Sequence, residues 1–306
     1  MTGGTAGGEA GPPHLQSGQK YDYLIVLSAA ALLSVPFFGM AAHVDTGYYG
    51  YISRALEGGY RLHRDIAAAQ NSLGFYLTAA VFGLFGASLL VMRVVSLLFL
   101  AGFAAAFLAF ARLITERKTA LCATLLSLLY VCQPQIQRGF ARNYLPAVLL
   151  FITAGAYCAL TSSGKKRLFS AGFFTGLAAC FNESFLLCCL APAICAGICF
   201  PRERLRAVAA ALGGVCAAFL IPAAILGFYG GWQGYFTDLF YMGVGARVSG
   251  AYSDRFANLL FVSWDALVIY SAALVLYRPW DCRALRPEPE KRFSAVFMPP
   301  LALTVL

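Results

Sequence analysis

Apolar residues along this chain fall into long runs separated by short polar breaks. The first run extends from Tyr21 to Ala42, and others follow at 73–88, 89–113, 119–134, 144–161, 168–181, 184–200, 207–228 and 257–276, with a last one opening at Phe293. A helix needs about twenty apolar residues to cross the hydrocarbon core of a bilayer, and a helix satisfies its own backbone hydrogen bonds there. The pattern predicts an all-α fold, a polytopic transmembrane bundle of about 8–10 membrane segments. The run from Tyr21 is too long for the core of a signal peptide and lacks a small-residue cleavage pattern near its end, so it is expected to remain as the first span. Residues 1–20, Gly-rich and nearly free of bulky apolar side chains, are expected to form a disordered cytoplasmic tail, with 21–306 as the transmembrane domain. The run opening at Phe293 contains Pro299-Pro300 and is still short of a span at Leu306, so the reading expects a longer parent protein.

The polar break at 43–72 carries a pattern of its own. Tyr48, Ile52 and Ala55 recur at helical spacing against Arg54 and Glu57, and Gly58-Gly59 supplies a stop. A short amphipathic helix along the membrane surface is predicted, with Asp45 near its beginning.

Basic residues separate several of the runs: Lys20, Arg112, Arg117-Lys118, Lys165-Lys166-Arg167, Arg202, Arg204 and Arg206, then Arg278, Arg283, Arg286, Lys291 and Arg292. Placing them on the cytoplasmic side, as the positive-inside rule asks, puts alternate connections outside. The expected location is the cytoplasmic (inner) membrane, with the loop at 43–72 facing the periplasm or exterior. Two apolar runs then lie between an outer loop and an inner cluster, where parity allows an odd number of crossings. Either 73–88 is re-entrant or interfacial, or 73–113 divides differently.

Composition agrees with a membrane class: 60% of residues are hydrophobic, 12% are charged, and mean hydropathy is +0.70. The net charge of +9 reads as an orientation signal, so no nucleic-acid partner is expected. The ten cysteines lie almost entirely in apolar runs without histidines beside them and read as packing residues.

Asp45 is the leading candidate for chemistry. A carboxylate at the mouth of a span costs several kcal/mol if lipid surrounds it, which points to a watery cavity where its charge is used. The bland alternative is helix capping, for which Asp is among the best residues. The outer face also collects His43, Arg54, Glu57, Arg61, His63, Arg64, Asp65, Arg138, Arg142, Asn143, Asn182-Glu183, Asp238, Arg247, Asp254 and Arg255. Asp65 is the second candidate catalytic carboxylate, weighed against a solvated ion pair with Arg64. Arg138 and Arg142, four apart, either bind a lipid phosphate or snorkel to headgroups. Arg247 and Arg255 are further candidates for a donor phosphate. Glu183 reads as part of a helix-end polar pair, and Asp265 stands inside an apolar run without an assignable partner.

Four short stretches carry a resemblance. Asp45-Thr46-Gly47-Tyr48, then Gly58-Gly59-Tyr60-Arg61-Leu62-His63-Arg64-Asp65, then Gly74-Phe75-Tyr76-Leu77, then Leu84-Phe85-Gly86-Ala87-Ser88 followed by Arg93, resemble in order and spacing the N-terminal half of the GT-C membrane glycosyltransferases. The likeness is to the bacterial branch akin to protein O-mannosyltransferases and to the aminoarabinose transferases of lipid A, over about residues 22–200. It implies a helical bundle of the GT-C type, a site facing the periplasm or lumen, a sugar donor carried on polyprenyl phosphate, and a glycan, lipid or protein acceptor. It makes Asp45 the catalytic or acceptor-orienting carboxylate. The chain departs from the family's pattern at Thr46, where a second acid is common, at Asn71-Ser72-Leu73 in place of a Lys-Pro-Pro-like stretch, and at Asn143 in place of an acid. No cofactor is implied; transfer is expected to be metal-independent or weakly assisted by a divalent metal, which no residue pattern indicates.

Transfer from such a donor needs an acceptor hydroxyl made nucleophilic and a leaving phosphate whose charge is stabilised. A carboxylate serves the first need and guanidinium groups the second. The expected activity is therefore an inverting, polyprenyl-phosphate-sugar-dependent glycosyltransferase. The alternatives are a membrane transporter or lipid flippase, which tends to carry inverted repeats not visible here, and a catalytically silent membrane subunit.

Overall fold

The computed structural model describes residues 17–40, 44–68, 73–133, 144–161 and 165–238. Arg138, Arg142, Asn143, Arg247, Asp254, Arg255 and Asp265 lie outside them. The described residues are helical: α1 (Ser17–Gly39), α2 (Val44–Glu57), α3 (Leu73–Phe85), α4 (Leu89–Ile114), α5 (Arg117–Val131), α6 (Leu145–Leu160), α7 (Lys165–Phe181), α8 (Ala191–Cys199), α9 (Arg204–Tyr229) and α10 (Trp232–Asp238), with 3₁₀ turns at Glu183–Leu190 and Pro201–Glu203. They include no strand, only an isolated bridge between Leu62 and Ile66.

Three helical stretches, Gln19–Gly39, Leu89–Ile114 and Pro201–Tyr229, are long and apolar enough to cross a membrane. The expected boundaries shift in four places. Helix α1 opens at Ser17, inside the stretch expected to be a disordered tail, because Ser17–Lys20 continue the hydrogen-bonded spiral of the apolar run behind them. Helix α7 takes in Lys165-Lys166-Arg167, which were expected to separate two apolar runs, since these long side chains are good helix formers. The run 184–200 is divided, a 3₁₀ segment giving way to α8 where Pro192 enters the first turn. Helix α3 ends at Phe85.

That last boundary bears on the parity question. Helix α3 has 13 residues and is about 20 Å long at about 1.5 Å per residue, too short for a hydrocarbon core of about 30 Å. Both its ends also stay at one end of the bundle. Gly74 lies against the Tyr144 ring, where an added Cβ would meet a ring carbon at 2.3 Å. Phe82 packs in one buried cluster with Tyr49 and Ile52 of α2, Phe75, and Met92 at the start of α4. Helices α1 and α4 are then antiparallel neighbours, joined at each end by polar contacts.

At one end, buried Asp22 of α1 accepts from Arg117 twice, Nε at 2.7 Å and Nη2 at 2.8 Å, and also from Arg112. Lys165 and Glu203 form an ion pair of 3.0 Å between α7 and the turn before α9. Lys118, Lys166, Arg167, Arg202, Arg204 and Arg206 start the helices that open at this same end. At the other end stand α2, α3, the start of α6 and the α9–α10 elbow. Cysteines introduced at Gly58 and at Lys166, in a background with the ten native cysteines replaced, are therefore expected to react with an impermeant maleimide from opposite sides of the membrane. Labelling of both from one side would break the arrangement.

Helices α6, α7 and α9 meet through small residues. An added Cβ at Gly172 would lie 1.9 Å from the Ala211 carbonyl oxygen, and one at Gly214 would lie 2.0 Å from that of Phe169. Close backbone approach of this kind replaces the hydrophobic drive that lipid cannot supply between membrane helices. Outward-facing Leu24, Leu32, Val35, Leu205, Leu220 and Phe228 are exposed, as lipid-facing positions are.

Candidate functional site

The end opposite the basic clusters holds the first loop, and α2 is its main element. Thr46, Tyr49, Ile52 and Ser53 are buried while Tyr51, Arg54 and Glu57 are exposed, so the predicted amphipathic helix exists. Its buried face centres on Tyr49 rather than Tyr48. Beneath it the rings of Tyr48, Tyr49, Phe75 and Tyr144 pack at centroid distances of 5.1 to 6.2 Å. The Tyr144 hydroxyl lies 3.2 Å from Thr78 Oγ1. Helix α2 stops at Gly58-Gly59, where Gly59 takes φ +93°, a conformation L side chains rarely adopt.

Asp45 is the second residue of α2, which begins at Val44, so it stands inside the first turn rather than at the flanking capping position. The end of α1 is anchored by Arg93. This buried guanidinium, near the start of α4, donates from Nη1 to the Phe38 carbonyl at 2.7 Å and from Nη2 to that of Met40. Carbonyls at a helix C-terminus have no partner within the helix, and Arg93 satisfies two of them at the place where the chain leaves α1 for α2.

Asp65 lies elsewhere. Its Oδ2 accepts from the Arg61 backbone N–H at 2.9 Å in an exposed turn, so its carboxylate braces the turn instead of pairing with Arg64 as the solvated-pair reading had it. Helix α2 interposes about 18 Å of rise between Asp45 and Glu57, from which that turn departs. Glu183 opens the 3₁₀ segment at the same end of the bundle.

One pairing escaped the sequence reading. His63 Nδ1 lies 2.8 Å from Asp238 Oδ2, and the same oxygen accepts from the Ala68 N–H at 3.1 Å. The carboxylate oxygen is an acceptor, so the hydrogen-bond network assigns the neutral imidazole's proton to Nδ1. The His63 side chain is 1% exposed and its Nε2 has no partner among the described residues. Burial holds its pKa below the usual histidine value, with Asp238 opposing that shift. Both residues stood among the polar residues expected at the outer face, but nothing local joins positions 175 apart.

A small space beside this region, among Thr78, Met92, Ser96, Phe99, Tyr144 and Ala147, measures about 20 Å³, room for one water. Among the described residues no group of three or more His, Cys, Asp or Glu side chains is placed to hold a metal ion. Comparison with family models, with curated proteins and with solved structures found no match.

Proposed function

We propose that this chain belongs to a membrane glycosyltransferase of the GT-C type, transferring a sugar from a polyprenyl-phosphate donor to an acceptor at the outer face of the cytoplasmic membrane. The observation that carries the reading is the placement of Asp45: it opens an amphipathic helix that follows a long apolar helix directly, at the bundle end opposite the basic clusters. The reaction needs a proton acceptor where a lipid-linked donor and a polar acceptor meet, and the reading assigns that duty to Asp45. In the transfer, the acceptor hydroxyl gives its proton to Asp45 as its oxygen bonds to the sugar's anomeric carbon. The bond from that carbon to the phosphate oxygen breaks, and its electron pair leaves on polyprenyl phosphate. Arginines stabilise the phosphate's charge. Arg138, Arg142, Arg247 and Arg255 are the proposed contacts, and Asp65 has the supporting role of shaping the first loop.

The test is transfer of label from a sugar-labelled polyprenyl phosphate into a non-lipid or larger lipid product by membranes containing the full-length protein. Label that stays on the donor, with an acceptor-rich extract present, counts against the reading. Within an active preparation, Lys in place of the arginine that holds the phosphate is expected to raise donor KM about tenfold, because an ammonium lacks the planar two-point fork. Unchanged donor KM in all four Lys variants moves the phosphate site elsewhere, with Arg61 and Arg64 next.

A further inference from the structure

The α9–α10 elbow is pressed onto the first loop more closely than side-chain packing requires. An added Cβ on Gly234 would fall 1.5 Å from the His63 carbonyl oxygen, and one on Gly231 would fall 2.8 Å from that of Leu62. His63 itself sits at φ +62°, a left-handed conformation that strains a residue other than Gly, Asn or Asp. Its backbone N–H donates to the Ile66 carbonyl at 2.8 Å, closing the turn around it. Its ring meets Tyr235 edge-on at 5.1 Å. Strained backbone, a buried unpartnered nitrogen and a carboxylate shared between a side chain and a main-chain donor converge on one contact. Such costs persist where the surrounding structure over-determines them, and they mark constraint at functional sites.

What the contact constrains is α2. Arg93 holds the end of α1 that precedes that helix, and the loop leaving α2 runs through Gly58-Gly59 to Leu62 and His63. Leu62 packs into the same buried cluster as Tyr49 and Ile52. Anchoring His63 to α10 therefore holds the exit of the helix whose entry carries Asp45. We propose that His63 and Asp238 are positioning residues, a clasp between the first loop and α10 that sets where α2 presents Asp45. This deepens the transferase reading and rests on it for its effect on turnover.

The clasp is closed by neutral His63. A second proton would go to Nε2, which has no acceptor among the described residues. The charged or titratable groups around it are Asp238 and Tyr235 on α10, and Arg61, Arg64 and Asp65 in its own turn, with Arg64 Nη1 also reaching toward Gly230. With the folded-state pKa below the unfolded one, the unfolded chain takes up the proton first. The contribution of His63 is then complete above about pH 6.5 and is lost as pH falls through its lower folded-state value.

The experiment uses the full-length protein and four variants: His63→Ala, Asp238→Ala, the double variant, and His63→Asn, which tolerates the left-handed backbone and keeps an N–H donor near the place of Nδ1. Melting midpoints are read in detergent from pH 7.5 to 5, and transfer kinetics at pH 7.5. Each Ala variant is expected to melt about 5 °C lower, and the double variant to lose clearly less than the two losses combined. His63→Asn should recover most of the midpoint and flatten its fall below about pH 6.5. The Ala variants should lose about tenfold or more in kcat with donor KM changed less than about threefold, and Asn should restore kcat. Strictly additive midpoint losses, an Asn variant as damaged as Ala, or Ala variants with parental kcat would overturn the clasp. A parent protein without transfer sinks the catalytic consequence and the transferase reading together, while the coupling in melting still decides whether the clasp exists.

Discussion

Asp45→Asn, introduced into the full-length protein, is expected to lower sugar transfer by about 10²-fold or more with insertion and melting midpoint nearly unchanged. Asn keeps the size of Asp, so a purely structural Asp45 in the first turn of α2 would lose only its charge's interaction with the helix dipole, about 0.3–1 kcal/mol. A general base, in contrast, loses its proton acceptor. The two roles of Asp45 therefore separate in one variant, measured by transfer rate beside thermal melting. A variant keeping more than about a tenth of the parental rate removes Asp45 as the base.

The largest expected loss of stability comes from Gly172→Val. The new Cβ would meet the Ala211 carbonyl oxygen at 1.9 Å, and neither backbone can yield without separating α7 from α9. Overpacking typically costs about 1–3 kcal/mol and occasionally more, and a clash with main chain belongs at the upper end. Gly213→Val is the control: its Cβ would meet nothing nearer than a Phe169 ring atom at 3.9 Å. Melting in detergent should show Gly172→Val well below both the parent and Gly213→Val. Equal midpoints for the two variants would refute the close α7–α9 contact.

The long helices were legible because their signal is compositional: α1, α4 and α9 are apolar over a membrane's thickness whatever their neighbours. Helix α2 was legible because Tyr48, Ile52 and Ala55 recur at helical spacing against Arg54 and Glu57, although its buried face centres on Tyr49. The extent of α3 was not, since an apolar run looks the same whether it crosses a bundle or lies at its end; the turn through Gly86 to the Ser88 cap, whose Oγ accepts from the Val91 N–H at 3.2 Å, is what divides it from α4.

The stretches behind the family resemblance have local duties in the fold. Gly59 stops α2, Gly74 admits the Tyr144 ring, Ser88 starts α4, and Arg93 holds the end of α1. They build the frame around α2. The pairings that lock this frame were invisible. His63 and Asp238 are far apart in sequence, and Asp22 lies 90 and 95 residues from its partners Arg112 and Arg117. Long-range polar partners leave no periodicity to read.

The central claim, that the protein cleaves a polyprenyl-phosphate sugar rather than moving it, is tested most directly in proteoliposomes loaded with a donor labelled in both sugar and phosphate. The account predicts that the parent protein releases unglycosylated polyprenyl phosphate in step with sugar appearing on the acceptor, and that Asp45→Asn releases neither at more than about a hundredth of that rate. Intact donor crossing to the opposite leaflet, unchanged in mass and equally fast in the parent and in Asp45→Asn, would contradict it.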